Sequence, residues 1–192
     1  KTLDQEGYDI MGLICGSEGL LGVITEVTVK ILKKPQTVKA ALIGFPTIEE
    51  GGNAATEIIS SGIVPAGMEI MDKALIEATD NFCKAGYPRD AELLLIVELD
   101  GTASEVDELL KEVSKICKKN NCSSLKLSKN DKERLSFWAG RKAAFPACGA
   151  MAPDYYCMDG TIPRGKLAEA LLEIKKLSKK YNLLVANCFH AG

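Results

Sequence analysis

Glu92-Leu93-Leu94-Leu95-Ile96-Val97-Glu98-Leu99, followed closely by Thr102-Ala103-Ser104-Glu105, is the stretch that decides the fold. Residues 93–97 are apolar without a polar alternate, so the run predicts a strand buried on both faces. Thr102 and Glu105 stand three apart, the spacing of a capping box in which two free backbone N–H groups are satisfied reciprocally. Val106, Leu109, Leu110, Val113, Ile116 and Cys117 then recur at helical spacing and trace one apolar face. A two-sided strand feeding an amphipathic helix makes a sheet the centre of the structure.

Working outward, strands and helices alternate. Val38 to Phe45 reads as a strand, and Thr47 with Glu50 makes a second capping box, opening a helix to about Ser60. Ala66 to Met71 is a short strand, and Lys73 to about Lys84 a helix. Downstream, Ser124 to Leu127 is a strand, Lys132 to Ala144 a helix and Asp154 to Ile162 a strand. Pro163 suits a first helical turn before the stripe Leu167, Leu171, Ile174 and Leu177, and Leu183 to Phe189 closes as a strand. At the other end, Asp9 to Cys15 allows one or two helical turns, and the glycine-rich loop Gly16 to Gly22 follows. Val23 to Leu32 then alternates as a strand does. Lys33-Lys34-Pro35 interrupts the pattern and sets a boundary, giving segments 1–34 and 35–192. The expected class is α+β, a sheet with helices layered on one face.

Composition excludes several kinds of protein. A net charge of −2 opposes phosphate-driven nucleic-acid binding. The lysines at 111–119 and 175–180 fall on amphipathic helices, where they read as solvated faces. Seven cysteines without a Cys-x-x-Cys pair read as reduced, buried small hydrophobes of a cytoplasmic protein. No apolar run reaches the ~18 residues of a membrane span. The chain opens on Lys1 within a patterned segment and stops just after an apolar run, so it is expected to be a piece of a longer polypeptide.

Four constellations could carry chemistry. Glycines at 16, 19 and 22 permit close backbone approach to a ligand, and fit a tight turn equally well. Arg141 offers a planar fork for a carboxylate, with Trp138, the only tryptophan, on the same helix face. By itself a helix arginine is ordinarily a surface residue. Tyr155 to Pro163 is an aromatic strand that core packing explains. His190, the only histidine, stands at a strand end as a base, a metal ligand or a structural residue. One histidine without a matched serine or cysteine does not make a hydrolase triad.

Together these stretches resemble one family. Gly16-Ser-Glu-Gly-Leu-Leu-Gly-Val-Ile-Thr-Glu26 is similar to the flavin-domain exit of vanillyl-alcohol-oxidase-type FAD enzymes. Phe137-Trp-Ala-Gly-Arg-Lys-Ala-Ala-Phe-Pro146 and Asp154-Tyr-Tyr-Cys-Met-Asp-Gly-Thr-Ile-Pro-Arg164 resemble the FAD-linked oxidase C-terminal domain. That family includes flavin subunits of glycolate oxidases and dehydrogenases of D-lactate and D-2-hydroxyglutarate. The resemblance implies a ferredoxin-like, mostly antiparallel sheet. It makes 1–34 the end of an FAD-binding domain and 35–192 a substrate-side domain that stops short of its own end.

It also implies roles. Gly16, Ser17, Glu18, Gly19, Gly22 and Ile24 would lie against FAD, and Arg141 would bind the carboxylate of a small 2-hydroxy acid. His190 would be the first histidine of a His-x-Gly-Asp-Gly-Asn-x-His motif, a catalytic residue or one ligand of a divalent metal whose remaining ligands lie beyond the chain. The implied reaction is oxidation of glycolate or a similar acid to the 2-oxo acid, with an electron-accepting partner subunit. Some relatives carry a lysine where Cys157 or Met158 stands, so the chain suits a smaller acid than a dicarboxylate.

Overall fold

The computed structural model describes residues 7–191. The chain divides into two compact units, Lys1–Lys34 and Pro35–Gly192.

In the larger unit the order is β1 (Thr37–Phe45), α2 (Ile48–Ser60), β2 (Gly67–Asp72), α3 (Lys73–Cys83), β3 (Leu93–Gly101), α4 (Ala103–Lys119) and β4 (Ser124–Leu127). It continues with α5 (Asp131–Lys142), α6 (Ala144–Met151), a 3-10 turn at Arg164–Lys166, α7 (Leu167–Tyr181) and β5 (Cys188–His190). The sheet order is β4-β1-β3-β2-β5, every neighbouring pair antiparallel. β1 and β2 are therefore parallel to each other with β3 inserted between them, the split βαβ arrangement of ferredoxin-like folds. As the sequence predicts, β3 is central, and its Leu93 to Val97 are all fully buried.

The expected layering on one face holds for α2, α4 and α7, whose Ile58, Val106, Val113 and Leu171 pack on Ile43, Phe45, Leu95 and Val97. The other face is covered as well. Leu75 and Ile76 of α3, Phe137 of α5 and Ala144 of α6 pack on Ala40, Leu42, Leu94 and Ile96. A strand with apolar side chains on both faces needs both faces covered, so one layer of helices could not have sufficed.

Local chemistry sets the boundaries. The Thr102–Glu105 capping box opens α4 with both of its bonds made, and Thr47 accepts from Glu50 N–H to open α2. Asp72 caps α3 through Leu75 N–H at 3.0 Å, and Lys84 closes that helix in the left-handed region at φ 53°. α6 was not anticipated; its Pro146 sits in the first turn, where a missing N–H costs no helix hydrogen bond.

Three expected strands are corrected. Residues 23–32 form no ladder, and Val23, Val27, Val29, Ile31 and Leu32 are exposed. Alternation records which faces a strand would bury, but the strand exists only where a partner supplies hydrogen bonds, and none pairs with it among the described residues. Residues 154–162 are irregular, because β5 occupies the free edge of β2. Of Leu183 to Phe189, only 188 and 189 join a strand, the three-residue β5 (Cys188–His190). The cysteines divide: Cys117 is buried, whereas Cys15, Cys83 and Cys157 are exposed.

Glu92, just before β3, bridges Lys175 of α7 at 2.7 Å and Lys73 of α3 at 3.1 Å. The Lys175 hydrogen bond holds the Glu92 carboxyl below its usual range against partial burial, and Lys73 adds to this. A carboxyl lowered by folding contributes stability above its unfolded value, lost as pH falls through the lower folded value. The side chain is 28% exposed, which limits the contribution to about 1 kcal/mol. Glu92→Gln is therefore expected to lower the melting temperature at about pH 7 and to leave it nearly unchanged at about pH 3. Equal losses at both pH values would refute the bridge.

Candidate functional site

One end of the second sheet face carries acids where the rest carries hydrocarbon. Glu69 on β2 is 93% removed from solvent, at 7% exposure. Its register partner on β5 is His190, so the two side chains stand opposite each other on one face. Glu98 on β3 lies beside Gly67 on the same face. Over this edge runs α5, whose Arg134, Trp138 and Arg141 recur at helical spacing and face the sheet.

Both Glu98 and Glu69 have partners. Glu98 Oε2 accepts from Trp138 Nε1 at 2.7 Å and from Arg134 Nη1 at 2.9 Å. Glu69 Oε2 accepts from Arg141 Nε at 2.9 Å, and its Oε1 lies 2.5 Å from His190 Nδ1. The two residues singled out in the sequence, Arg141 and His190, thus meet on one carboxylate. The shared face of Trp138 and Arg141 is as expected, and Trp138 anchors the helix that presents the arginine.

The backbone of Arg141 is fixed separately. Tyr87, fully packed in the second core, donates from its hydroxyl to Phe137 C=O at 2.6 Å and accepts from Arg141 N–H at 3.0 Å. Burial drives the Tyr87 phenol far above its ordinary value, so it stays neutral. Gly140 makes room for the ring: a Cβ there would lie 2.4 Å from Tyr87 Cε2. Burial is the largest influence on Arg141 and opposes its charge, but the Glu69 hydrogen bond and the attraction of the surrounding groups together more than offset it, so the guanidinium remains cationic. Its Nη1 and Nη2 have no protein partner among the described residues, while Nε is taken. The side chain is 21% exposed and His190 80%, so both can be reached from solvent. Cys188, two residues before His190, is pushed up to about 12 by burial and is an inert thiol at neutral pH.

Glu69 was missed in the sequence, which offered one sign of it. Gly67-Met68-Glu69-Ile70-Met71 reads as a buried strand, and an acid on a core-facing position requires a partner.

Gly16, Ser17, Glu18, Gly19, Gly22 and Ile24 lie in the smaller unit, after α1 (Ile10–Ile14). Gly16 and Gly19 adopt φ of +87° and +80°, and Glu18 joins them at +51°. A Cβ at Gly16, Gly19 or Gly22 would meet nothing within 4 Å, so the loop's own unit leaves it open. Leu13, Gly16, Ser17, Glu18 and Leu20 are among the residues lining a shallow cavity of about 290 Å³. Bare backbone beside an open cavity fits close approach of a flat or anionic group. Ile24 belongs to the exposed stretch without a ladder. No cluster of three potential metal ligands exists among the described residues, and of the expected ligand set this chain carries His190 alone.

A ferredoxin-like sheet with an arginine fork and a histidine at one edge defines an α+β domain. The chain belongs to the family of FAD linked oxidases, whose C-terminal domain matches residues 34–192. It is 50% identical over 191 residues to glycolate oxidase subunit GlcD of Escherichia coli K12, covering 100% of this chain and 38% of that protein. It is 31% identical to the Bacillus subtilis protein of the same name over 98% of this chain and 40% of the other. With the mitochondrial D-lactate dehydrogenase (cytochrome) of Arabidopsis thaliana it shares 35% identity over 97% of this chain and 33% of the relative. The chain therefore spans well under half the length of these relatives. A solved alkyldihydroxyacetonephosphate synthase has the same fold, at 21% identity and a TM-score of 0.68 over 96% of this chain and 40% of that one.

Proposed function

We propose that the chain is the substrate-side part of a flavin-dependent 2-hydroxy-acid dehydrogenase, which oxidises glycolate or a similarly small acid to the 2-oxo acid. The observation that carries this reading is the Arg141 fork, unpartnered at Nη1 and Nη2 and held on Glu69 beside His190. Arg141 receives the substrate carboxylate and fixes the hydroxyl-bearing carbon, an orientation effect. His190 stands beside it with Nε2 available to take the hydroxyl proton as the C=O bond forms.

When bound, FAD supplies the acceptor for the hydride that leaves the same carbon. Gly16, Ser17, Glu18, Gly19, Gly22 and Ile24 are the residues of this chain that would hold it. Two relatives are named as oxidase subunits, which supports a partner that takes the electrons onward. Among the described residues no helix is long and apolar enough to cross a membrane. All seven cysteines are free, which supports a reducing, cytoplasmic setting.

The test is anaerobic reduction of the flavin band in the full-length polypeptide by glycolate, D-lactate, L-lactate and D-2-hydroxyglutarate in turn. Glycolate is expected to bleach the band fastest and the dicarboxylate slowest. Fastest bleaching by D-lactate moves the substrate within the family, in keeping with the D-lactate dehydrogenase relatives. A protein that binds no flavin, or that none of the acids reduces, refutes the reading and leaves a binding module.

A further inference from the structure

Glu69 touches both groups to which chemistry has been assigned, and we propose that it is the positioning residue of the site. It fixes His190 as the Nδ1–H tautomer and turns the Arg141 fork end-on to the incoming carboxylate. The proposal rests on the functional reading above.

The geometry leaves each group one arrangement. An ionised carboxylate only accepts hydrogen bonds, so the ring nitrogen 2.5 Å from Glu69 Oε1 carries the hydrogen whenever the ring is neutral. Nε2 then holds the lone pair and faces away from the acid. A histidine in water favours the opposite tautomer, which could not take a proton at Nε2. At the other oxygen, Arg141 Nε is spent on Oε2. A carboxylate can grip a guanidinium side-on, through Nε and one Nη, or end-on, through both Nη atoms. Only the end-on grip remains.

The contact also strengthens as the reaction proceeds. Before proton transfer Glu69 faces a neutral ring; afterwards it faces an imidazolium. The added attraction belongs to the later state, where stabilisation accelerates a reaction instead of merely tightening binding. The cross-strand register makes this durable. Glu69 and His190 are direct partners on β2 and β5, and a slip of one residue would send one of them to the opposite face.

The chain has a single histidine, so long-range ¹H–¹⁵N NMR of its ring reads this site alone. At about pH 8.5, where an ordinary histidine is neutral, the chain is expected to show hydrogen on Nδ1. In Glu69→Gln the amide oxygen goes to the charged guanidinium, the stronger donor. The amide NH₂ then faces Nδ1, and the hydrogen should move to Nε2. Glu69→Met, without either bond, should give the same Nε2–H signal. A wild-type ring protonated on Nε2 overturns the proposal, and so does a folded Glu69→Gln that keeps Nδ1–H.

In the full-length polypeptide Glu69→Gln should slow flavin reduction ~10²- to 10⁴-fold, the range for a lost proton acceptor. KM should change little, because Arg141 keeps its hold. A variant with unchanged kcat overturns the role in the reaction. If no hydroxy acid reduces even the wild-type flavin, the functional reading fails, while the tautomer result stands independently.

Discussion

Arg141→Lys in the full-length polypeptide should lower kcat/KM for the hydroxy acid by about 100-fold or more, with the fold intact. Lysine keeps the positive charge against Glu69, so the buried carboxylate is not orphaned. It cannot both pair with Glu69 and offer two parallel donors to a substrate, which the planar guanidinium does. The ammonium would hold one oxygen and let the acid pivot, and misplacement by about 1 Å is worth about 100-fold in rate. Stopped-flow reduction together with thermal melting measures the two quantities. Arg141→Ala separates them differently: it leaves Glu69 buried without its cation, and should cost ~3 kcal/mol, the lower end for a broken buried pair, because Arg141 is partly exposed. A lysine variant reduced within threefold of the wild-type rate would remove Arg141 from the carboxylate site.

Gly140→Ala should destabilise the protein although it replaces glycine by the best helix former. Propensity alone favours alanine in α5 by about 1 kcal/mol. The new methyl would lie 2.4, 2.6 and 2.7 Å from Cε2, Cζ and the hydroxyl oxygen of Tyr87, atoms of a rigid ring packed in the core. Either the ring or the helix must shift, at an overpacking cost of about 1–3 kcal/mol. The hydroxyl also loses its places on Phe137 C=O and Arg141 N–H, adding about 1 kcal/mol for each bond broken. Repulsion and lost bonds together exceed the propensity gain. The net loss should be about 2–4 kcal/mol in chemical denaturation. Tyr87→Phe in the same background should recover little, since the ring itself causes the overlap. A stabilised Gly140→Ala would show that the ring yields freely.

The legible parts of the sequence were those whose signal is local. The 93–97 run, the Thr102–Glu105 box and the stripe of α4 contain their own explanation, and the structure places them as read. Arg141 and Trp138 declared a shared face by spacing alone. What could not be read depends on residues far away in the chain. Glu69 acquires meaning only when β5 brings residue 190 beside it, 121 positions later. Tyr87, in the segment between α3 and β3, carries no mark of its bond to α5. Residues 23–32 show the converse error: their alternation is genuine, but the partner that would turn it into a strand is absent among the described residues, and the aromatic-rich 154–162 likewise has none. The second helical layer could have been anticipated, since a strand apolar on both faces already demanded it.

The Tyr87 hydroxyl has one further consequence. Helix ends usually fray, so the last turn of a helix exchanges its amide hydrogens without wider unfolding. Arg141 sits in that last turn, yet its amide is tied to a ring embedded in the sheet's second core. Releasing it means withdrawing an aromatic side chain from the interior. The arginine is thus drawn into the cooperative unit of the β-sheet, and its backbone should open on the timescale of that unit and not of a loose terminus.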